Sequence, residues 1–581
     1  EPLVMVVPLI AQLTAPALQP GPVRLPSEAP AFPAPELRPA LSPAPTPASA
    51  EPAAPASPTP APTTVPAPAP LPTIPPAVEG FNPYGAAELH RILAGCAPDP
   101  RNDPSTNSSG DRSTATARCA SVLSARLFRD GYLNTQVTAV EQPPHGLLRV
   151  RAGRIEEVRI QSSSKALERR LKPLLQSLQG SVLHIPTLTA SLTQVQRLPG
   201  VGLVRSSLNR LGQDSSRAVL VVTAEPGGRP LQGELSLRND GNGGSGQFRG
   251  VAALMKQGAL LPGDTVLLYG ELNTDNDPEL GYRVGSISYT LPLSSQLSFT
   301  GAFGASRRSL VEAEPPLHDL QFRQLQGYGQ FDLTFLETLS SRWYGFAGLS
   351  VNRSDAYLQG RSIQAIPGGG DDGWLRSGFV RIGMGYDALL GSMAFRASGY
   401  GLQGIAEFTP AAQQHELMFL GIHPGQARAI GTELSASWRP GRRWQLDLRG
   451  AAQLALQPLT NPMGFSLGSD SGLRGLPGQV VSGDSGILGA GELSWSFWRS
   501  PSGRDELQLV PFLGAGNVWT SVPAATLSDT VGATGLLLRW LRGSHTSLEL
   551  GWVRQFTSSD PAFWDGWILG SGLYARAAYR F

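Results

Sequence analysis

The stretch Gly572-Leu573-Tyr574-Ala575-Arg576-Ala577-Ala578-Tyr579-Arg580-Phe581 decides how the larger part of this 581-residue chain is read. Successive side chains of an extended strand point to opposite sides. Counting back by two from Phe581 therefore puts Tyr579, Ala577, Ala575 and Leu573 on one face, and Arg580, Ala578, Arg576 and Tyr574 on the other. The first face is apolar and aromatic, and the second carries two arginines. A soluble sandwich also alternates, so the pattern alone does not choose between water and membrane. In a membrane barrel the apolar face meets lipid, the aromatic end sits in an interface girdle and the arginines face a wet lumen.

The same alternation recurs upstream. Arg443 to Arg449 sets Trp444, Leu446 and Leu448 against Arg443, Gln445, Asp447 and Arg449, and Gln296 to Phe303 sets Leu297, Phe299 and Phe303 against Gln296, Ser298 and Thr300. Beyond Leu231 no helical periodicity remains. The composition fits: 67 Gly, 51 Pro, 16% charged residues and a formal net charge of +2. A charge balance near zero argues against a nucleic-acid binder, which carries a basic face or stripe. Three of the 47 basic residues are lysines (Lys165, Lys172, Lys256), leaving 44 arginines spread along the chain. Two cysteines exclude a disulfide scaffold and a Cys-rich metal protein. No window holds the ~20 uninterrupted apolar residues of a transmembrane helix.

Toward the N-terminus the grammar changes. Pro2 to Ala11 is a short apolar run within segment 1–15, which reads as a signal-peptide remnant or a plug. Of the 51 prolines, 22 fall between Pro16 and Pro76. Proline fixes φ and removes a backbone donor, so the Pro/Ala-rich region 16–80 is expected to be a semi-rigid linker. From Phe81 onward, helices at 86–95 and 119–130 and strands at 137–140 and 146–150 form one small α/β unit. Helices at 167–178 and 188–197 and strands at 201–208 and 218–224 form a second. The fold expected is multidomain: two small α/β domains, 81–154 and 155–226, then an alternating all-β region over 231–581, open at this point to a sandwich or an antiparallel barrel.

Residues 81–581 resemble the transporter of bacterial two-partner secretion (TpsB), in the superfamily that joins POTRA domains to an outer-membrane barrel. Four local matches carry the resemblance. Arg129-Asp130-Gly131-Tyr132 followed by Gly146-Leu147-Leu148-Arg149-Val150-Arg151-Ala152-Gly153-Arg154-Ile155 looks like the first POTRA domain, and Leu198-Pro199-Gly200-Val201 like the second. Arg238-Asn239-Asp240-Gly241, with Gly246 and Gly263-Asp264, is similar to the first barrel hairpin. Phe465-Ser466-Leu467-Gly468, Leu473-Arg474-Gly475-Leu476, Gly483-Asp484-Ser485-Gly486 and Glu492-Leu493 resemble the lid-loop signature, whose V-R-G-Y/F tip on the sixth extracellular loop folds back into the barrel. Tyr579 and the final Phe581 resemble the signal by which such barrels are recognised for assembly. The 351 residues of 231–581, divided over the family's sixteen strands, give about 22 each, enough for a membrane strand of ~9–11 residues and its connection. Residues 273–280, 368–373 and 409–416 are then connections.

The residues of the lid region read as a constrained loop, near 465–486. Gly468, Gly472, Gly475, Gly483 and Gly486 permit positive φ or close backbone approach, and a lone Arg474 among small and apolar residues needs an acceptor when buried. The family pattern places an Asp in F-x-D-x-G two strands on. Here the matching stretch is Phe512-Leu513-Gly514-Ala515-Gly516, with Gly514 where the Asp is expected. Asp484 or Glu492 could replace it, or Arg474 could bond carbonyls.

Other motifs dissolve on inspection. Gly483-Asp484-Ser485-Gly486 mimics the nucleophile string of trypsin-like proteases, but Ile487 stands where that fold needs Gly, and no histidine sits in a matching context. No enzyme, cofactor or metal is expected: the seven histidines show no ligand spacing, and Asp275-Asn276-Asp277 and Asp371-Asp372 lack an EF-hand register. Cys96 and Cys119 flank a polar stretch in the first unit. In an oxidising periplasm they read as one disulfide, the alternative being two separate buried thiols.

The resemblance implies an outer-membrane translocator, with its POTRA domains in the periplasm, that exports one large β-helical TpsA-like exoprotein without ATP. Its other expected partners are outer-membrane lipid and the barrel-assembly machinery, and it is expected to be a monomer. An extended client can add as a strand to an exposed sheet edge. The second unit is the expected contact, through Val201, Leu203, Leu208, Leu220 and Val222. Two alternatives stay open: a barrel-assembly factor of the same superfamily, which usually has more POTRA units, and a passive porin, which needs no 81–225 region.

Overall fold

The computed structural model describes residues 76–581 apart from 95, 97–108, 141–145, 199–200, 213, 215, 228–230, 262, 276–278, 295, 314–317, 339, 371, 521–527 and 558–565. The apolar segment 1–15 and the Pro-rich linker as far as residue 75 lie outside the described residues. The first α/β unit runs β1 (Ala77–Gly80), α1 (Ala86–Ala94), α2 (Ser109–Arg129), β2 (Gln136–Val140) and β3 (Leu147–Arg151). Its sheet order is β1-β3-β2, with β1 parallel and β2 antiparallel to β3. The unit thus starts within the region assigned to the linker: Pro76 ends the proline-rich run, and Ala77-Val78-Glu79-Gly80 is free to donate to β3. Helix α2 begins ten residues before Cys119, because Ser-Gly-Asp-Arg-Ser-Thr-Ala-Thr-Ala-Arg has no apolar period to announce it. Leu93, Leu123, Leu127, Leu148 and Val150 form the core beside a Cys96–Cys119 disulfide whose Cα atoms are 5.1 Å apart.

The second unit repeats the order with β4 (Arg154–Gln161), α3 (Lys165–Gln176), α4 (Ile185–Arg197), β5 (Val201–Arg210) and β6 (Arg217–Pro226), sheet order β4-β6-β5. Ser164 caps α3 by accepting from the Leu167 amide at 3.4 Å, and Leu167, Leu171, Leu174 and Leu175 recur on one face and are buried. These leucines pack on Leu220 and Val222 of β6, the middle strand.

A closed antiparallel barrel follows. Its strands are β7 (Gln232–Arg238), β8 (Phe248–Gln257), β9 (Thr265–Thr274), β10 (Leu280–Pro292), β11 (Leu297–Ser309), β12 (Leu320–Glu337), β13 (Ser341–Leu358), a two-residue extension β14 (Arg361–Ser362), β15 (Trp374–Leu390) and β16 (Met393–Gly404). After helix α5 (Ala411–Phe419) come β17 (Arg428–Trp438), β18 (Trp444–Ala455), the short pair β19 (Phe465–Leu467) and β20 (Val481–Gly483), then β21 (Ser485–Arg499), β22 (Asp505–Trp519), β23 (Ser528–Arg542), β24 (Thr546–Thr557) and β25 (Leu573–Arg580). Without β14 and the β19/β20 pair the wall has sixteen strands, and β25 pairs with β7 to close it. Helix α5 falls in a stretch expected to be plain connection; its Gln413 side chain bonds the backbone of Trp374 and Arg376.

The alternation read from the last strand holds around the ring. Tyr574, Arg576 and Ala578 are buried toward the lumen, whereas Leu573, Tyr579 and Phe581 are exposed on the outside, as are Trp444 and Leu448. Trp343 with Tyr386, and Trp444 with Trp495, form ring pairs at 4.4 and 5.6 Å near the end of the wall that follows the α/β units, as an interfacial girdle requires. At that same end Arg170 of α3 lies 3.6 Å from Glu337 of β12.

Candidate functional site

The connection between β18 and β21 does not stay outside the wall. Strands β19 and β20 pair antiparallel to make a stiff arm, in register Phe465 to Gly483 and Leu467 to Val481. The arm's tip is folded on itself: the amides of Ser469, Asp470 and Leu473 bond the carbonyls of Pro477, Gly478 and Gly468. Gly468, Gly472 and Gly475 take positive φ. At Gly475 (φ 82°) an added Cβ would lie 2.5 Å from Val553, so only glycine passes this close to the wall. Gly486 and Gly483 sit at the arm's base, against the Phe465 ring and the Trp519 backbone. Leu473 and Leu476 of the tip are buried in one cluster with Phe465, Leu467, Val480 and Val481 of the arm and Phe512, Val531, Ala533, Val553 and Tyr574 of the wall.

Within this apolar seat lies a cluster of four charges. Arg474 Nε donates to Glu492 Oε1 of β21 at 2.7 Å, and Arg474 Nη1 donates to Glu549 of β24. Glu549 also accepts from Arg539 Nε of β23 at 2.7 Å, and Arg539 Nη2 approaches Glu492 at 3.8 Å. Two guanidiniums and two carboxylates balance, and charge-assisted bonds of this kind are the strong ones. Tyr574 lies under Arg474, 5.8 Å from guanidinium carbon to ring centroid.

Of the acceptors expected for Arg474, Glu492 is therefore one, and Asp484 is not. Asp484 stands at the base of the arm, where its carbonyl accepts from Gln453 Nε2 at 3.0 Å. Glu549 escaped the sequence reading: its place in Leu548-Glu549-Leu550 marks it as lumen-facing, but nothing in the sequence pairs it with a tip 75 positions away. Gly514 explains why the usual acceptor is missing. A Cβ there would lie 3.1 Å from Leu473 Cδ2 and 3.2 Å from Ala490 Cβ, so the leucine occupies the space a side chain at 514 would take.

The far side of the tip is held as well. Asp470 Oδ1 lies 2.6 Å from Arg249 Nη1 of β8, and Arg249 Nη2 donates to Glu271 of β9 at 2.7 Å. The Gly478 amide donates to the Gly241 carbonyl at 2.8 Å, in the connection between β7 and β8. The arm thus crosses the lumen from β21–β25 to β8–β9. Below it a cavity of about 810 Å³ opens toward the second α/β unit, lined by Arg396, Arg449 and Glu492 of the wall and by Leu174, Gln194 and Leu198 of that unit.

The residues expected to meet a client are disposed unequally. Val201, Leu220 and Val222 are buried in the core of the second unit, Leu208 is half-buried and Leu203 is exposed. Strand β6 is paired on both sides, so among the described residues β5 alone of the two presents an unpaired backbone edge.

The family described as Haemolysin secretion/activation protein ShlB/FhaC/HecB matches residues 216–536, more than half of the chain. The chain belongs to this family. As a haemolysin secretion/activation protein it is a TpsB-type outer-membrane transporter of the POTRA-and-barrel superfamily, its barrel in the outer membrane and its POTRA domains in the periplasm. The fold is shared with CdiB from Escherichia coli, 17% identical over 87% of this chain and 89% of that one, TM-score 0.54. CdiB from Acinetobacter baumannii (16% identity, 88% and 89% covered, TM-score 0.49) and BamA from Haemophilus ducreyi lacking POTRA domains 1–3 (13%, 87% and 99%, 0.44) are also similar. No curated protein matches the sequence.

Proposed function

We propose that this transporter captures one unfolded β-helical exoprotein on POTRA 2 and passes it through the barrel by displacing the lid arm. The observation that carries the reading is the self-contained arm across the lumen: its backbone bonds run mostly within the arm, and side chains hold it to the wall. Such an arm moves as one body without breaking a wall ladder. Strand β5 supplies the docking edge, where backbone bonds give affinity without strict sequence demands. Its contribution is main-chain, since Val201, Leu220 and Val222 build the core beneath. The client leaves without ATP, its folding outside drawing the chain outward.

The test is secretion of the exoprotein from cells carrying a deletion of residues 85–225. Export should be lost while the barrel still inserts and keeps its heat-modifiable migration in electrophoresis. Export at the normal level would overturn capture by the POTRA domains.

A further inference from the structure

A row of arginines runs along the outside of the barrel, at the end away from the POTRA domains. Arg283 of β10 pairs directly with Arg307 of β11, and Arg307 with Arg323 of β12. The next outward position in register is Asp355 of β13, and one pleat away Arg353 pairs with Arg376 of β15. All share their strand face with exposed apolar residues: Ile287, Phe303, Leu325, Leu349 and Ile382. Along β12 the outward positions below Arg323 run from Leu325 to Phe335. Twelve residues at ~3.3 Å and a tilt of ~40° span about 30 Å of height, which sets the arginines at one edge of the apolar band and the Trp343/Tyr386 pair at the other.

Like charges directly opposite each other on neighbouring strands are destabilising. Here Arg307 has an arginine on both sides, and among the described residues its buried Nε has no hydrogen-bond partner. Among the described residues neither Arg283 nor Arg307 meets a carboxylate. Asp355 is engaged by the Arg353 guanidinium, from Nε at 3.3 Å and Nη2 at 3.0 Å. Tyr357 lies under Arg323 at 4.4 Å and Trp374 under Arg353 at 4.8 Å, which fixes the two side chains upright. The five arginines and Asp355 sum to +4, with the Asp319 carboxylate of the β11–β12 connection also acting on Arg307, so a positive excess is held on a rigid wall at the level where lipid headgroups lie.

We infer that this belt is a binding site for a phosphorylated headgroup of an outer-leaflet lipid. Adjacent strands set the arginines ~4.8 Å apart, and each presents a fork of donors that matches phosphate oxygens. A headgroup carrying two phosphates spans Arg283, Arg307 and Arg323 and supplies the negative charge the wall lacks, while its acyl chains lie along Ile287, Phe303 and Leu325.

The test uses the full-length protein in detergent, titrated with diphosphoryl lipid A and with the same lipid A after phosphatase treatment. The wild type should bind the phosphorylated form about tenfold more tightly or better. The triple variant R283Q/R307Q/R323Q should lose that preference while binding the dephosphorylated lipid as before, with folding checked by heat-modifiable migration. Arg307→Gln alone should weaken the preference by several-fold, which keeps the test available if the triple variant does not fold. Equal affinity of the wild type for the two lipids, or a full preference kept by the folded triple variant, overturns the inference.

Discussion

Replacing Arg474 with alanine separates two holds on the lid arm whose sizes differ. The change leaves Arg539, Glu492 and Glu549, one negative charge in excess inside the wall. Breaking a buried ion pair by removing one partner costs about 3–5 kcal/mol. Glu549 keeps its 2.7 Å bond from Arg539, so the lower end applies here. The opposing quantity is apolar. Phe465, Leu467, Leu473, Leu476, Val480 and Val481 are buried against the wall. At about 1.5–3 kcal/mol for each fully buried side chain, their complete exposure would cost on the order of 10 kcal/mol. Apolar packing is therefore the larger hold, and the arginine sets how often the arm shifts rather than whether it stays. Planar-bilayer recordings should show Arg474→Ala opening more often than wild type but still closing. The pair L473A/L476A, at about 2–5 kcal/mol for each leucine, should open further, and deletion of 468–478 should leave a permanently open pore. If Arg474→Ala alone already matches the deletion, packing does not hold the arm. If it matches the wild type, the charge cluster holds nothing.

In the connection between β11 and β12, burial pushes the Glu312 carboxyl up to about 6, against the bond it accepts from Trp567 Nε1 at 2.9 Å. An acid raised on folding binds its proton more tightly when folded, so this contribution is complete below about 4.5 and fades as pH rises through about 6. Trp567 fluorescence should report a looser outer surface at pH 7.5 than at pH 5, and Glu312→Gln should flatten the profile; an unchanged profile counts against the contact. Asp264 turns the chain between β8 and β9 by accepting from the amides of Ala259, Leu260 and Leu261 at 2.6–2.9 Å and from Tyr289 Oη at 2.9 Å. Asp264→Ala should lower barrel stability by about 1–3 kcal/mol, read as a lower temperature of heat modification. Breaking the Cys96–Cys119 bridge with C96S/C119S should destabilise POTRA 1 by about 3 kcal/mol and leave barrel migration unchanged; an equal loss in both parts would mean the domains do not unfold separately.

The period-two face of 572–581 was enough to orient the last strand, because a strand's faces are set by parity and need no partner to be known. Helices with an apolar stripe, such as Leu167-Leu171-Leu174-Leu175, were equally plain. Helix α5 and the first turns of α2 were not: α5 has helix formers without a stripe, and α2 opens on Ser-Gly-Asp-Arg-Ser-Thr, which has few strong helix formers and no stripe. The arm's position was suggested by resemblance and its glycines, but the partner of Arg474 depended on which luminal charges the closed ring brings opposite one another. Glu549 is reached only through the order β21-β22-β23-β24. Gly514 likewise read as a loss, whereas in three dimensions it is the hollow that Leu473 fills.

The seam between β25 and β7 joins residues more than 330 positions apart. Five registered pairs make it, extended by reciprocal backbone bonds between Gly233 and Phe581 and by the Asn239 amide donating to the Ala575 carbonyl, and helped by Glu234 accepting from Arg576 and Arg580 and by the Asn239 side chain bonding the backbone of Leu573 and Ala575. Every other wall ladder joins wall strands that follow one another around the ring in chain order, with at most the lid arm or the short β14 between them. The seam alone carries the whole loop-closure entropy of the ring, which makes it the contact of highest order and the slowest to form. Until it forms, the free edge of β7 stands open, and the circle is completed by the ladder that bridges the longest stretch of chain.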